Sequence, residues 1–155
     1  MKVWVDADAC PGQISELIYR AAHRLQVQTL FVANKQLKLP ISPFLSSVQV
    51  DAGMDVADAY IADHAAVGDL VVTQDIPLAA QLVPRGIVVI GPRGDLFHED
   101  NINDRLASRD LMQSLRDSGT MSGGPEPFNE KHKRAFANHF DTALQRLRSV
   151  KGPNS

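Results

Sequence analysis

The chain has one cysteine, Cys10, in 155 residues. An internal disulfide is therefore impossible, and the reading that follows is a reducing compartment, the cytoplasm. Aromatics are few, at 6%. No apolar run is long enough to span a bilayer, and the first ten residues, MKVWVDADAC, lack the apolar core of a signal peptide. The net charge is only -2, so the molecule as a whole offers no case for binding nucleic acid. Its distribution says more. Residues 1–80 hold five Lys/Arg against nine Asp/Glu, and residues 81–155 hold eleven against nine. The front half is acidic and the back half mildly basic, so a local basic surface remains available.

What is present fits one domain, residues 1–150, with a frayed tail at 151–155. Short apolar runs at 2–5, 27–32, 48–50, 70–73 and 87–90 read as strands. Helical spacing appears over 14–25, 55–66, 76–82, 102–117 and 129–150. In the fourth helix Ile102, Leu106, Leu111 and Leu115 are the expected buried positions; in the fifth, capped by Asn129, they are Phe136, Phe140, Leu144 and Leu147. Residues 34–43 and 91–94 are loops and turns, as is the glycine- and proline-rich stretch through Gly123-Gly124-Pro125. Strands that alternate with helices imply right-handed crossovers and a mostly parallel sheet. The expected fold is α/β, a three-layer α/β/α domain with five strands.

Ligands of such sheets bind beyond the carboxyl ends of the strands. Asp6 follows the first strand and Asp75 the fourth, so topology alone places both on one edge. Asp8 lies two residues past Asp6, and two adjacent carboxylates call for a cation between them; a hard divalent ion is the natural one. The structural alternative is that Asp8 caps the following helix and Asp6 is merely exposed. Asp75 is also placed to cap the helix that begins at Ile76. Asp55 and Asp58 are three apart on one helix face. That spacing favours Asp55 as a structural cap and Asp58 as the carboxylate free to face the pocket. Asp51 and Asp63 read as solvated, and Asp69 as a turn residue.

Cys10 reads as a small packed residue, and the five histidines show no metal-ligand spacing. Arg93 follows the fifth strand and reaches the same edge. Arg109 and Arg116 share a helix face, with Lys131, Lys133 and Arg134 further on. Arginines beside an acidic metal site suit a phosphate-bearing substrate, although a solvated helix face with surface ion pairs explains any one of them equally well.

The run from Asp55 to Ala62, followed by Leu70-Val-Val-Thr-Gln-Asp75, resembles the second half of a PIN domain. More closely, the chain resembles the bacterial YaiI/YqxD family of PIN-like proteins. The residues that carry this are Asp6-Ala-Asp-Ala-Cys-Pro11, Ala57-Asp58, Thr73-Gln-Asp-Ile-Pro-Leu78, Arg93-Gly94, Asp100-Asn-Ile102, Arg109 and Gly123-Gly-Pro125. The resemblance implies a PIN-like fold and a Mg²⁺- or Mn²⁺-dependent ribonuclease. Asp6, Asp58 and Asp75 would be its metal-binding and catalytic acids and Asp8 the family's own addition, with Asp95 a weaker candidate. Thr73, Arg93 and Arg109 would contact substrate. The implied partner is single-stranded or structured RNA, with no membrane contact; self-association stays open.

Two other functions fit parts of the pattern. Phosphatases of the haloacid dehalogenase type begin with a strand ending Asp-x-Asp, the first carboxylate nucleophilic and the second a general acid. Asp6-Ala7-Asp8 matches that, but Cys10 stands where Thr or Val is expected, and no lysine precedes a paired-acid motif. A noncatalytic PIN-like module that binds metal or RNA is the third reading.

Overall fold

The computed structural model describes residues 1–53, 55–119 and 126–151. The Gly123-Gly124-Pro125 stretch and the tail from residue 152 lie outside them. Six strands form one sheet: β1 (Lys2–Asp6), β2 (Gln28–Ala33), β3 (Leu45–Gln49), β4 (Leu70–Val72), β5 (Val88–Ile90) and β6 (Leu96–Phe97). Five helices accompany it: α1 (Gly12–Leu25), α2 (Val56–His64), α3 (Ile76–Leu82), α4 (Glu99–Asp117) and α5 (Glu130–Lys151). The order across the sheet is β3-β2-β1-β4-β5-β6. All neighbours pair in parallel except β5 and β6.

The sixth strand was not expected. Only two residues long, it is too short for a sequence pattern. A tight turn makes it, in which the Gly94 N–H donates to the Gly91 carbonyl at 2.9 Å and the Gly91 N–H to the Asp95 carbonyl at 2.8 Å. Gly94 has φ +94°, and a Cβ there would lie 2.5 Å from the Ala135 Cβ. The turn thus needs glycine twice, for its backbone angle and for the closeness of α5.

The strand alternation sorts side chains into two layers. Val3, Val5, Leu70 and Val72 meet Ile14 and Ile18 of α1 and Phe136, Phe140 and Leu144 of α5. Trp4, Val71 and Val89 meet Ile61 of α2, Leu78 and Leu82 of α3 and Ile102 of α4. The central strands are apolar on both faces because both faces are covered. This is the expected three-layer arrangement. Among the described residues, no helix is long and apolar enough to cross a membrane.

Two expectations about burial fail. Leu111 is 61% exposed. The nineteen residues of α4 span about 28 Å at 1.5 Å per residue, against about 10 Å for the seven residues of α3 on which it packs, so its second half runs past its support. Asp69 is no simple turn residue. It is 8% exposed, and its carboxylate accepts from the Lys2 N–H at 2.9 Å, the Trp4 Nε1–H at 3.1 Å and the Ala66 N–H at 3.0 Å. It ties the start of β1 to the turn before β4.

Asp69→Ala strands these three donors and is expected to cost about 3 kcal/mol. Urea denaturation beside Asp63→Ala, an exposed site expected to change little, checks this.

Candidate metal centre

The parallel pairing of β1 with β4 sets Val5 beside Val72. The next residues, Asp6 and Thr73, then meet: the Thr73 hydroxyl donates to Asp6 Oδ2 at 3.0 Å. The Thr73 hydroxyl oxygen in turn accepts the Asp75 N–H at 3.0 Å. Thr73 is 1% exposed and its hydroxyl is committed on both sides. That leaves no open surface for the substrate contact expected of it; it orients Asp6 instead.

Asp75 does cap α3. Its Oδ1 accepts the Leu78 N–H at 2.8 Å, an interaction that contributes about 1 kcal/mol, and Pro77 fits the first helical turn. The cap fixes the carboxylate at the carboxyl end of β4.

Asp55 departs from the sequence reading. It occupies the position before α2 with φ 63°, and its side chain makes no capping hydrogen bond. A left-handed backbone is uncommon outside glycine, though aspartate tolerates it better than most residues. Freed from capping, the Asp55 carboxylate has an oxygen within 4.8 Å of oxygens of Asp58 and Asp75.

Asp8 is exposed and lies in a 3-10 turn at Ala7–Ala9. It accepts the Asn34 N–H at 2.9 Å and does not cap the next helix. Asp6 and Asp8 are near enough for their charges to interact. Five carboxylates thus share one end of the sheet. Among the described residues, none of them pairs with a Lys, Arg or His.

The consequence is electrostatic. Burial raises the Asp6 carboxyl above its ordinary range, the Thr73 hydrogen bond opposes this, and the charges of Asp75 and Asp8 add to it. Asp58 is pushed up to about 7, first by burial, then by its hydrogen bond to Asp75, then by the charges of Asp75, Asp6 and Asp55. Asp58 therefore keeps its proton up to about pH 7, which lessens the repulsion at this edge.

The donor set is all carboxylate oxygen, which suits a hard divalent cation and not a soft metal. Asp55, Asp58 and Asp75 each offer an oxygen within 4.8 Å of the others, close enough for one cation to be shared among them. Asp6 and Asp8 adjoin this trio.

The basic residues are placed differently. Arg93 is half-buried and donates to the Glu126 carbonyl. Arg109 is exposed and pairs with Asp110 at 3.0 Å. Asp95 pairs with Arg105 at 3.2 Å, so its charge is met away from the cluster. Arg116 hydrogen-bonds Gln113. Burial pushes the Cys10 thiol up to about 11, which makes it a packed residue and no nucleophile.

A family model described as "Uncharacterized BCR, YaiI/YqxD family" matches residues 4–146. A UPF0178 protein of Myxococcus xanthus is 54% identical over 95% of this chain and 96% of its own length. The UPF0178 protein of Dechloromonas aromatica is 49% identical over 95% of this chain and 98% of its own. That of Syntrophobacter fumaroxidans is 47% identical over 98% and 99%. No solved structure matches significantly.

A testable consequence lies in the proton at Asp58. Its ordinary pKa of 3.8 is raised on folding to about 7. Between those values the folded chain holds a proton that the unfolded chain loses, so stability falls as pH rises through this window. Asp58→Asn is expected to flatten that fall and raise the melting temperature at pH 8. With the native chain at pH 8, Mn²⁺ at a hundredfold over its Kd should raise the melting temperature by about 5–10 °C, and EDTA should reverse it. Thermal melts across pH read both.

Proposed function

This chain belongs to the YaiI/YqxD family, and we propose that it is a divalent-cation-dependent, PIN-like ribonuclease that hydrolyses phosphodiester bonds. One observation carries the reading: five carboxylates from three separate stretches of chain converge on one sheet edge with no basic partner among the described residues. Uncompensated like charge is costly, and a site that tolerates it is a candidate for function.

Asp55, Asp58 and Asp75 would hold Mg²⁺ or Mn²⁺, with Asp6 and Asp8 beside them. A bound divalent cation supplies Lewis acidity, which acidifies water and offsets charge on a phosphate. The chain's own residues do the rest. Thr73 holds Asp6 in one orientation through a buried hydroxyl. Asp75 is fixed by its cap to α3. Asp58, whose carboxyl is raised to about 7 by burial and by Asp75, would have to release its proton to serve as a ligand. Arg93, which follows β5, would meet a flanking phosphate through the guanidinium donors not bonded to Glu126. A carboxylate edge alone repels a polyanion, so the cation serves binding as well as chemistry.

The test is cleavage of single-stranded RNA by purified protein with Mn²⁺. Asp6→Asn and Asp75→Asn are each expected to lower the rate by more than about 100-fold, and Thr73→Val by about 10- to 100-fold as a positioning residue. Activity that survives both aspartate changes would belong to a contaminant and would sink the reading. RNA binding without turnover, across several metals, would point to a noncatalytic module.

A further inference from the structure

The loop of residues 34–43 leaves the carboxyl end of β2, one strand over from Asp6. It has no regular structure, yet it is anchored. The Asn34 N–H donates to Asp8 Oδ2, and Leu37 and Leu39 pack on the core layer beneath α1. Lys35 and Lys38 flank Leu37 and are exposed. Neither makes an ion pair among the described residues. They are also the only lysines between residues 3 and 130. In the acidic half of the chain, two exposed lysines thus stand on a loop whose backbone is tied to Asp8, and neither is neutralised by an ion pair among the described residues.

Arg93 follows β5 on the other side of the cluster. The order β2-β1-β4-β5 therefore reads, along the carboxyl edge, as cation, carboxylate, carboxylate, cation. Three inter-strand spacings cover about 14 Å, the rise of about four stacked nucleotides at 3.4 Å each. A mononucleotide would reach only one side. Beyond Lys35 and Lys38, the exposed Asp51 at the end of β3 closes the basic tract.

We propose that this edge takes an internal stretch of single-stranded polynucleotide laid across the strand ends, with Lys35 and Lys38 holding phosphates on one side of the carboxylates and Arg93 on the other. This rests on the reading of the carboxylate edge as a phosphodiester site. It adds the path of the substrate, the residues that hold it and the absence of any need for a chain end. Lysine on a tethered loop supplies point charge without base contacts, so recognition is of the backbone and not of sequence.

Stopped-flow anisotropy in Mn²⁺, read ahead of any cleavage, tests this with labelled 12-nucleotide oligouridylate and oligothymidylate at several salt concentrations. Two lost phosphate contacts on a single strand lower the salt slope, log K against log salt, by about 1.4. The double variant Lys35→Ala/Lys38→Ala is expected to show that drop and Arg146→Ala, on α5, none. A drop in either the ribose or the deoxyribose arm upholds the inference and names the sugar. An unchanged slope in both, or no binding by the native chain, overturns it. A circular 30-nucleotide strand is expected to bind as tightly as its linear form, and weaker binding of the circle overturns internal engagement. Lysine-dependent binding without aspartate-dependent cleavage leaves this surface standing and removes the hydrolytic reading instead.

Discussion

Parallel pairing of β1 with β4 sets the Asp6 carboxylate against the Thr73 hydroxyl, and the rest of the acidic edge is arranged around that contact. Residues 6 and 73 are remote in sequence. They meet because the crossovers carry the chain back to start each strand at the same end of the sheet. The pairing is secured at its other end by Asp69, whose carboxylate gathers donors from Lys2, Trp4 and Ala66. One aspartate thus fixes where β1 and β4 begin, and the register then decides which aspartates meet where they finish. The two layers of helices lock the same register, since a slip of one residue would turn Val3 and Val5 into the layer of Trp4.

The aspartates do different work although their chemistry is the same. Asp69 is buried with its oxygens satisfied by donors. Asp95 has its arginine, and Asp75 has the helix cap. Asp58 has a carboxylate for a neighbour and burial to discourage charge, so its proton stays to about 7. The site is therefore poised between two ways of reducing its own repulsion, a proton or a cation. The first is provided by neutral water, and the second is what a hydrolytic function would use. The likeness to relatives covers 95% or more of this chain and of their own lengths, so the fold is that of the family. The fold alone does not settle the chemistry, which is why the carboxylates and their protons carry the functional reading.

Positive charge is kept at arm's length from the carboxylates. Arg93 is braced by the Glu126 carbonyl and Arg109 by Asp110 on its own helix. Lys35 and Lys38 stand on a loop whose leucines are anchored and whose lysines are not. A cation in direct contact with Asp58 or Asp75 would lower its pKa and compete with a metal for the same oxygens. Basic groups displaced to either side leave the centre acidic while still offering attraction to a polyanion.

The sequence by itself determined the class of fold, the strand-then-helix rhythm and the shared edge of Asp6 and Asp75. Each of these depends on periodicity and on chain direction, which short segments encode locally. It also determined the caps at Asp75 and Asn129, because capping is a contact within one helical turn. What it could not determine depends on contacts across the fold. The two-residue β6 exists through its turn and the approach of α5 at Gly94. Leu111 is exposed because α4 outruns α3, a matter of relative length. Asp55 leaves its expected cap because the backbone before α2 turns left-handed, and that swings its carboxylate toward Asp75, a residue of another element. Tertiary structure alone decided which carboxylates share a proton, because the repulsion that sets it acts through space and not along the chain.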